Sequence, residues 1–336
     1  MDKKIKVTIC LLTWNGQDYL PFQIKSLTDQ TFKDWQLLVV DNGSSDNSVA
    51  MMSEYYPPAK IIKQKNNIGF SKANNLLIKW SNSDYVLFLN QDIILEPDYL
   101  EKTVAFLDTH PNAASVSGKL LYWDFPNLAK TKIIDSFGLK LDRKRAVVDI
   151  GQGQEDYNPV AKHADAMEVF GLSGALFLAR RQALESIKLP KALDDFEYFD
   201  EDFFAYKEDV DLAWRLRLAG WDSYLLASTK AYHHRSVANK QVQKSDRKKR
   251  GIVNRLSYRN HLLMLYKNSF AKNIYQDFFP IFWYEFKKFI YSLLFERKNI
   301  SALFEFFKLK KKFKLKKKHI QKHTKIKAED LRAWFK

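Results

Sequence analysis

One cysteine, Cys10, stands in this chain of 336 residues, inside the apolar run IKVTICLL. That excludes an internal disulfide framework and any cysteine-based zinc cluster, and it suits a reducing compartment. No run of 18 apolar residues occurs, so no membrane-spanning helix is expected. The start is charged at Asp2, Lys3 and Lys4, and its apolar segment stops at Thr13-Trp14-Asn15-Gly16, unlike a secretory leader. Glycine is sparse, and no Gly-x-Gly-x-x-Gly follows the first apolar strand, which removes a dinucleotide-binding Rossmann site. Positive charge is missing from most of the chain. Of the net +16, residues 241–336 carry 26 Lys and Arg against 7 Asp and Glu, a net of +19. Residues 1–240 are left slightly acidic, so the body is not expected to bind nucleic acid.

What is present can bury a core: 46% of residues are hydrophobic and 15% aromatic. Short apolar, β-branched segments at 5–12, 36–40, 60–64 and 85–89 read as strands. Helices follow to about Leu27, near 71–80, and from Pro97, a favoured first helical position. Strands alternating with helices imply a doubly wound, mostly parallel α/β sheet flanked by helices. The polar clusters at 13–16, 41–46, 66–70 and 90–92 all follow strand ends, where such sheets bind ligands. After about 113 come a strand, an irregular stretch at 122–165, a strand in GLSGALFLA, a helix at 207–219 and a short strand at 223–227. The length suggests a unit at 1–240, with halves 1–112 and 113–240, and a basic helical extension at 241–336.

Four groups of residues carry chemistry. Asp41, at the end of the second strand, can accept hydrogen bonds from a base or ribose, whereas Asp46 is placed to cap the next helix. Asp92 leaves the fourth strand behind Asn90 and Gln91. A hard divalent cation takes such a carboxylate and completes its shell with phosphate and water oxygens. In EDVDLAWRLRLAG, Asp209 shares a helix face with Leu212, Ala213, Leu216 and Gly220, at the mouth of the core-facing stripe, where a general base could reach a cleft. Asp211 falls on the opposite side, as a macrodipole residue on a solvated face. His233 and His234 follow a strand, and one of them, His233 by preference, can supply a further metal ligand.

The segments VTICLLTWNGQDYL, LLVVDNGSSDNS, NNIGFSKANN, YVLFLNQD, GLSGALFLARR and EDVDLAWRLRLAGW resemble, in order and spacing, a family 2 glycosyltransferase of the GT-A fold. The resemblance is to the bacterial rhamnosyltransferase-like group, and it covers residues 7 to about 236. It implies inverting transfer of a sugar from a nucleotide-diphosphate donor, dTDP-rhamnose being one candidate, to a glycan or lipid-linked acceptor in cell-surface polysaccharide synthesis. Donor contacts fall to Thr13, Asn15, Asp41, Asn67, Gly69, Asn74 and Asn90. Mg²⁺ or Mn²⁺ falls to Asp92 and His233, the base to Asp209, and the acceptor side to Gly174, Glu208 and Trp214. Asn90 stands where the metal motif commonly has a first Asp.

The competing readings are a nucleotidyltransferase and a non-catalytic basic protein that binds membrane or RNA. The first lacks a cation in its Thr-Trp-Asn-Gly-Gln-Asp loop. The basic residues of the second lie only in the tail. In that tail Ala302, Phe306, Leu309, Phe313 and Ile320 fall on one helical face among eight lysines. This pattern implies an interfacial helix on anionic lipid, and hence a cytoplasmic protein peripheral to the inner face of the membrane.

Overall fold

The computed structural model describes residues 4–161, 164–192, 195–235 and 246–336. The boundary expected at 240/241 lies outside them. In chain order the elements are β1 (Val7–Thr13), α1 (Leu20–Thr28), β2 (Trp35–Asp41), α2 (Ser48–Tyr55), β3 (Lys60–Lys63), α3 (Phe70–Trp80), β4 (Tyr85–Asn90), β5 (Ile93–Leu95) and α4 (Tyr99–Thr109). Then come β6 (Ala113–Asp124), β7 (Ala129–Ser136), β8 (Leu139–Leu141), β9 (Val147–Asp149), β10 (Ala166–Val169), β11 (Leu176–Arg180), α5 (Arg181–Ser186), β12 (Leu189–Ala192), β13 (Asp195–Glu197), α6 (Glu208–Leu218) and β14 (Asp222–His233). Helices α7 (Asp246–Asn268), α8 (Ala271–Gln276), α9 (Phe278–Phe295), α10 (Ile300–His323) and α11 (Ala328–Arg332) end the chain.

The main sheet runs β10-β14-β6-β11-β4-β1-β2-β3, with β5 added to β14 and β7 to β6. Strands β3, β2, β1 and β4 are parallel neighbours, and β6 pairs parallel with β14. Between β4 and β6 lies β11, antiparallel to both, so the two parallel sets point the same way. Residues of β1 and β4 are almost all buried on both faces, as expected of parallel strands covered by helices. Helix α4 begins at Tyr99 rather than at Pro97, whose carbonyl accepts a hydrogen bond from Thr31 N at 2.9 Å.

Strand β14 is much longer than the expected 223–227. A bulge between Leu226 and Lys230 lets it resume pairing with β6 and then with β5. The polar run Ser228-Thr229-Lys230 disguises this continuity, because its side chains find partners. Thr229 Oγ1 donates to Asp98 at 2.7 Å, and Lys230 pairs with Asp156 at 2.8 Å.

Two expectations are corrected by the C-terminal helices. Helix α6 has no solvated side. Asp211 is fully buried, bound to Arg215 at 3.0 Å, Lys267 at 3.0 Å and Asn268 at 2.8 Å, because α7 covers the face expected to be wet. The apolar face of α10 is likewise buried in protein rather than open to lipid. Ala302, Phe313 and Ile320 are core residues, and Phe313 stacks on Phe203 at 6.2 Å. One lysine of that helix, Lys316, is itself buried, within 2.8 Å of Glu197, Asp200 and Asp202.

Candidate active site

Register brings the strand ends together. Thr13 lies beside Asp41, and Leu12 beside Asn90, on one sheet edge. Gln91 is a tie across this edge: its Oε1 accepts from Thr13 Oγ1 at 2.8 Å and from Trp14 N at 2.7 Å. An amide beside the carboxylate of Asp92 is thus explained by the need to hold two loops together. Asn15 has a left-handed backbone, φ +50°, and accepts from Ser45 N at 2.8 Å. Both oxygens of Asp41 lie 3.3 Å from Ser44 N. Asp46 is not the cap expected of it: Asn47 holds the N-cap position of α2, and Asp46, one residue earlier, accepts from Ser48 N at 3.0 Å.

Asn67 shapes its own loop, accepting from Gly69 N at 2.9 Å and Asn42 Nδ2 at 3.0 Å. At Gly69, φ +85°, a Cβ would fall 2.5 Å from the ring of Phe204, so only glycine fits against that segment. Asn74 is buried and donates to the Phe70 carbonyl one turn back, at 3.1 Å.

Asp92 meets His233 because β5 pairs antiparallel with the end of β14, setting Ile93 opposite His233. The His234 amide donates to the Asp92 carbonyl at 2.9 Å. His233 Nε2 lies 3.5 Å from Asp92 Oδ1, while its Nδ1 is held at 2.7 Å by the buried carboxylate of Asp135. Arg235 then binds Asp135 at 2.9 Å and Asp149 at 3.2 Å. Burial pulls the His233 pKa down, but Asp92 and Asp135 outweigh it and lift it to about 9. A carboxylate that fixes one ring nitrogen and leaves the other facing a second carboxylate is a recurrent metal-site pattern. Asp92 and His233 would hold Mg²⁺ or Mn²⁺ only with the loss of the proton that the His233 ring carries toward Asp92. His234 turns aside: its Nδ1 is 3.2 Å from the Trp123 carbonyl.

A different acidic group, Glu197, Asp200 and Asp202, has its oxygens within 4.8 Å of one another. Its centre is taken by the Lys316 ammonium, so the protein supplies its own cation there.

Asp209 sits in the first turn of α6. Its Oδ2 accepts from Gly174 N at 3.0 Å, and its Oδ1 from Val210 N at 2.8 Å. A Cβ on Gly174 would come within 3.0 Å of Asp209 Cβ, so that glycine permits the contact. Asp209 opens onto a cavity of about 310 Å³ that Asp149, Tyr206, Lys207, Glu208 and Arg235 also line. Arg235 and Asp135 thereby connect Asp209 to the Asp92–His233 corner.

The segment before Asp209 is strained, with φ of +62° at Phe204, +73° at Tyr206 and +70° at Lys207. Such positions cost about 1–3 kcal/mol each and persist only where surrounding contacts enforce them. Here α7 enforces them: Asn260 Nδ2 donates to the carbonyls of Phe203, Ala205 and Tyr206 at 2.7–2.9 Å. Arg259 Nη2 donates to the Asp202 carbonyl at 2.7 Å.

Glu208 is buried and one of its oxygens has no hydrogen-bond partner. Burial, then the neighbouring Asp209, push its pKa up to about 8. The free carboxyl titrates near 4.3, so the unfolded chain loses this proton first. Stability should therefore fall as pH rises between about 4.5 and 8 and level off above, by a few kcal/mol in all. Glu208→Gln should flatten that slope, giving the variant the higher urea midpoint at pH 8.5. Parallel slopes for the two proteins would refute the assignment.

Trp214, expected on the acceptor side, has no surface to offer a ligand. It is fully buried, 6.0 Å from Phe170 and 5.5 Å from Phe335 by ring centroids, and serves the core. Asp135, Asp149, Arg235 and Asn260 escaped the sequence reading. Arg235, two residues beyond His233 at a strand end, is the one the i, i+2 spacing could have flagged.

A family profile described as "Glycosyl transferase family 2" matches residues 8–188, just over half of the chain. An N-acetylglucosaminyl-diphospho-decaprenol L-rhamnosyltransferase of Mycobacterium tuberculosis is 24% identical over 247 residues, 68% of this chain and 76% of that protein. The minor teichoic acid biosynthesis protein GgaB of Bacillus subtilis is 30% identical over 114 residues, 32% of this chain and 13% of that protein. Three other relatives, from Bacillus subtilis and Haemophilus influenzae, are matched over 36–50% of their own length. Among solved structures, GalNAc-T7 with UDP, GalNAc and Mn²⁺ superposes with a TM-score of 0.61 at 10% identity, covering 81% of this chain and 49% of that one. The mannosyltransferase PcManGT of Pyrobaculum calidifontis gives 0.51 at 17%, covering 90% and 75%. These likenesses establish a shared GT-A fold.

Proposed function

Because the chain belongs to glycosyl transferase family 2, we propose that it moves a sugar, with inversion, from a nucleotide-diphosphate donor to an acceptor hydroxyl. The observation that carries this reading is Asp209, fixed by Gly174 N and open to the same cavity as Arg235. A carboxylate so held can take the proton of an attacking hydroxyl. Asp41, Asn15 and the 66–70 loop surround the sheet edge where the nucleotide would lie. Asp92 and His233 would hold Mg²⁺ or Mn²⁺, which when bound supplies charge neutralisation for a leaving diphosphate. Asp135 keeps the His233 ring oriented for that task.

This reading leaves the donor's base open; dTDP-rhamnose is the first to try, given the mycobacterial relative. The acceptor would be a glycan or lipid-linked sugar of a cell-surface polysaccharide, met at the inner face of the cytoplasmic membrane. No described helix is long and apolar enough to cross a membrane, so attachment there would be peripheral.

Calorimetric titration with UDP, dTDP, GDP and CDP, with and without Mn²⁺, tests the donor site. One diphosphate should bind the wild type with Mn²⁺, and Asp92→Ala should weaken it by about tenfold or more, the scale on which metal sites respond to lost partners. Failure of every nucleotide to bind would sink the assignment.

A further inference from the structure

Helix α9 is turned inside out. Its polar residues Glu285, Lys288 and Ser292 face the protein, with Glu285 bound to His261 at 2.8 Å. Its aromatic residues face outward: Phe279 is 81% exposed, Phe282 51%, Trp283 54% and Phe286 41%. A helix of a water-soluble surface shows the opposite polarity, and so broad an apolar face marks a contact with something apolar.

Behind this helix is a cavity of about 290 Å³, lined among others by Lys207, Tyr258, His261, Tyr284 and Lys288. It adjoins the cavity of Asp209, the two sharing Val147, Lys207 and Ser257. The ammonium of Lys207 has no hydrogen-bond or ion-pair partner among the described residues. Lys288 lies over the ring of Tyr284 at 4.2 Å and 3.9 Å from Glu285, which His261 already engages. Glu296, which also lines the cavity, is bound by Asn254 at 2.9 Å. Burial lowers both lysines: at Lys207 the carboxylates of Asp209, Asp149 and Glu208 offset it only in part, and at Lys288 Glu285 and Asp142 do so against the added charge of Lys207. Two under-compensated ammonium groups converge on a cavity one step from the base.

We propose that this cavity is an acceptor subsite for the phosphate or diphosphate of a lipid-carried sugar, whose hydrocarbon chain lies along the outer face of α9 at a bilayer surface. The inference rests on Asp209 being the base of the transfer. It sets the sugar at Asp209, the phosphate at Lys207 and Lys288, and the chain on Phe279, Phe282, Trp283 and Phe286. A second copy of this chain is disfavoured as the occupant of that face. The lysines exposed on α9 itself, Lys287, and along α10, Lys308, Lys310, Lys311 and Lys314, would repel their counterparts in a second copy, whereas anionic lipid would be attracted.

The test is co-sedimentation of the full chain with phosphatidylcholine vesicles. They are used plain, doped with a polyprenyl phosphate, or doped with the same fraction of phosphatidylglycerol. Inorganic pyrophosphate is titrated separately. Polyprenyl phosphate should raise partitioning about tenfold over phosphatidylglycerol, as expected of a few charge-assisted contacts. Lys207→Gln with Lys288→Gln should abolish that preference and keep the remaining binding. Phe279→Ser with Trp283→Ser, both at exposed positions, should remove binding to all vesicles.

Equal binding to the two anionic lipids, or a lysine variant that keeps the preference, would overturn the subsite. Pyrophosphate bound as tightly as the doped vesicle would overturn the lipid part. Self-association through the aromatic face without vesicle binding would replace it with a dimer. Nucleotide titration of the same preparation separates the two readings. If donor binding persists while lipid preference is absent, this inference alone falls.

Discussion

Asp209→Asn is expected to lower turnover by about 10²–10⁴-fold, the range that general base catalysis supplies, and to leave donor affinity unchanged. The amide is nearly isosteric and can still accept from Gly174 N, which in the wild type holds Oδ2 at 3.0 Å. What it cannot do is take the proton of an attacking hydroxyl. The readout is release of nucleoside diphosphate at saturating donor and acceptor, alongside calorimetric donor binding. A variant that keeps a tenth or more of the turnover would remove Asp209 from the proton transfer. Glu208, whose pKa is pushed up to about 8 by burial and by Asp209, would then be examined as the carboxyl that changes protonation. A variant that loses donor binding would mean that Asp209 acts on the nucleotide instead.

Much of this was legible in the chain, for identifiable reasons. Strands β1, β2 and β4 are mostly apolar runs because helices cover both faces, and their polar ends are sharp. Thr13, Asp41 and Asn90 could therefore be set on one edge before the register was known. The reversed strand β11 could not: nothing in LFLAR tells a parallel from an antiparallel buried strand. Asp135 was hidden for a similar reason. It lies in β7, within a stretch whose polar pattern reads as irregular, and its partner His233 is 98 residues away. Periodicity reports the face a residue occupies, not what that face meets. Hence Asp211 was read as solvated when α7 covers it, and the stripe on α10 as lipid-facing when it packs on Phe203 and Leu263.

Lys316 is where that last misreading had a correction within reach. It falls inside the apolar stripe of α10, between Phe313 and Ile320, where a lipid-facing or solvent-facing helix would not place a charge. Its ammonium lies 2.6 Å from Glu197, 2.5 Å from Asp200 and 2.8 Å from Asp202, and Lys267 of α7 also binds Asp200. The two lysines fasten α10 and α7 to the segment that leads into the strained turn before Asp209.

Removing one partner of a buried ion pair leaves uncompensated charge, typically at a cost of about 3–5 kcal/mol. Lys316→Met, which keeps the packing of the stem, should lower the urea-derived stability by that amount at neutral pH. The loss should depend on pH in a definite direction. Burial alone would raise the Asp200 pKa, but Lys267 and Lys316 outweigh it and hold the carboxyl well below its usual range. Its stabilising contribution is therefore complete above the unfolded value near 3.9 and fades as pH falls toward the depressed folded value. The gap between wild type and variant should be full above about pH 5 and narrow below pH 4. Pairing Lys316→Met with Asp200→Asn should destabilise by less than the two changes summed, since the second removes the charge that the first leaves unpaired. Additive losses with no narrowing in acid would mean that Lys316 contributes through its hydrocarbon stem alone, and that the helices are held by the Phe203–Phe313 contact rather than by charge.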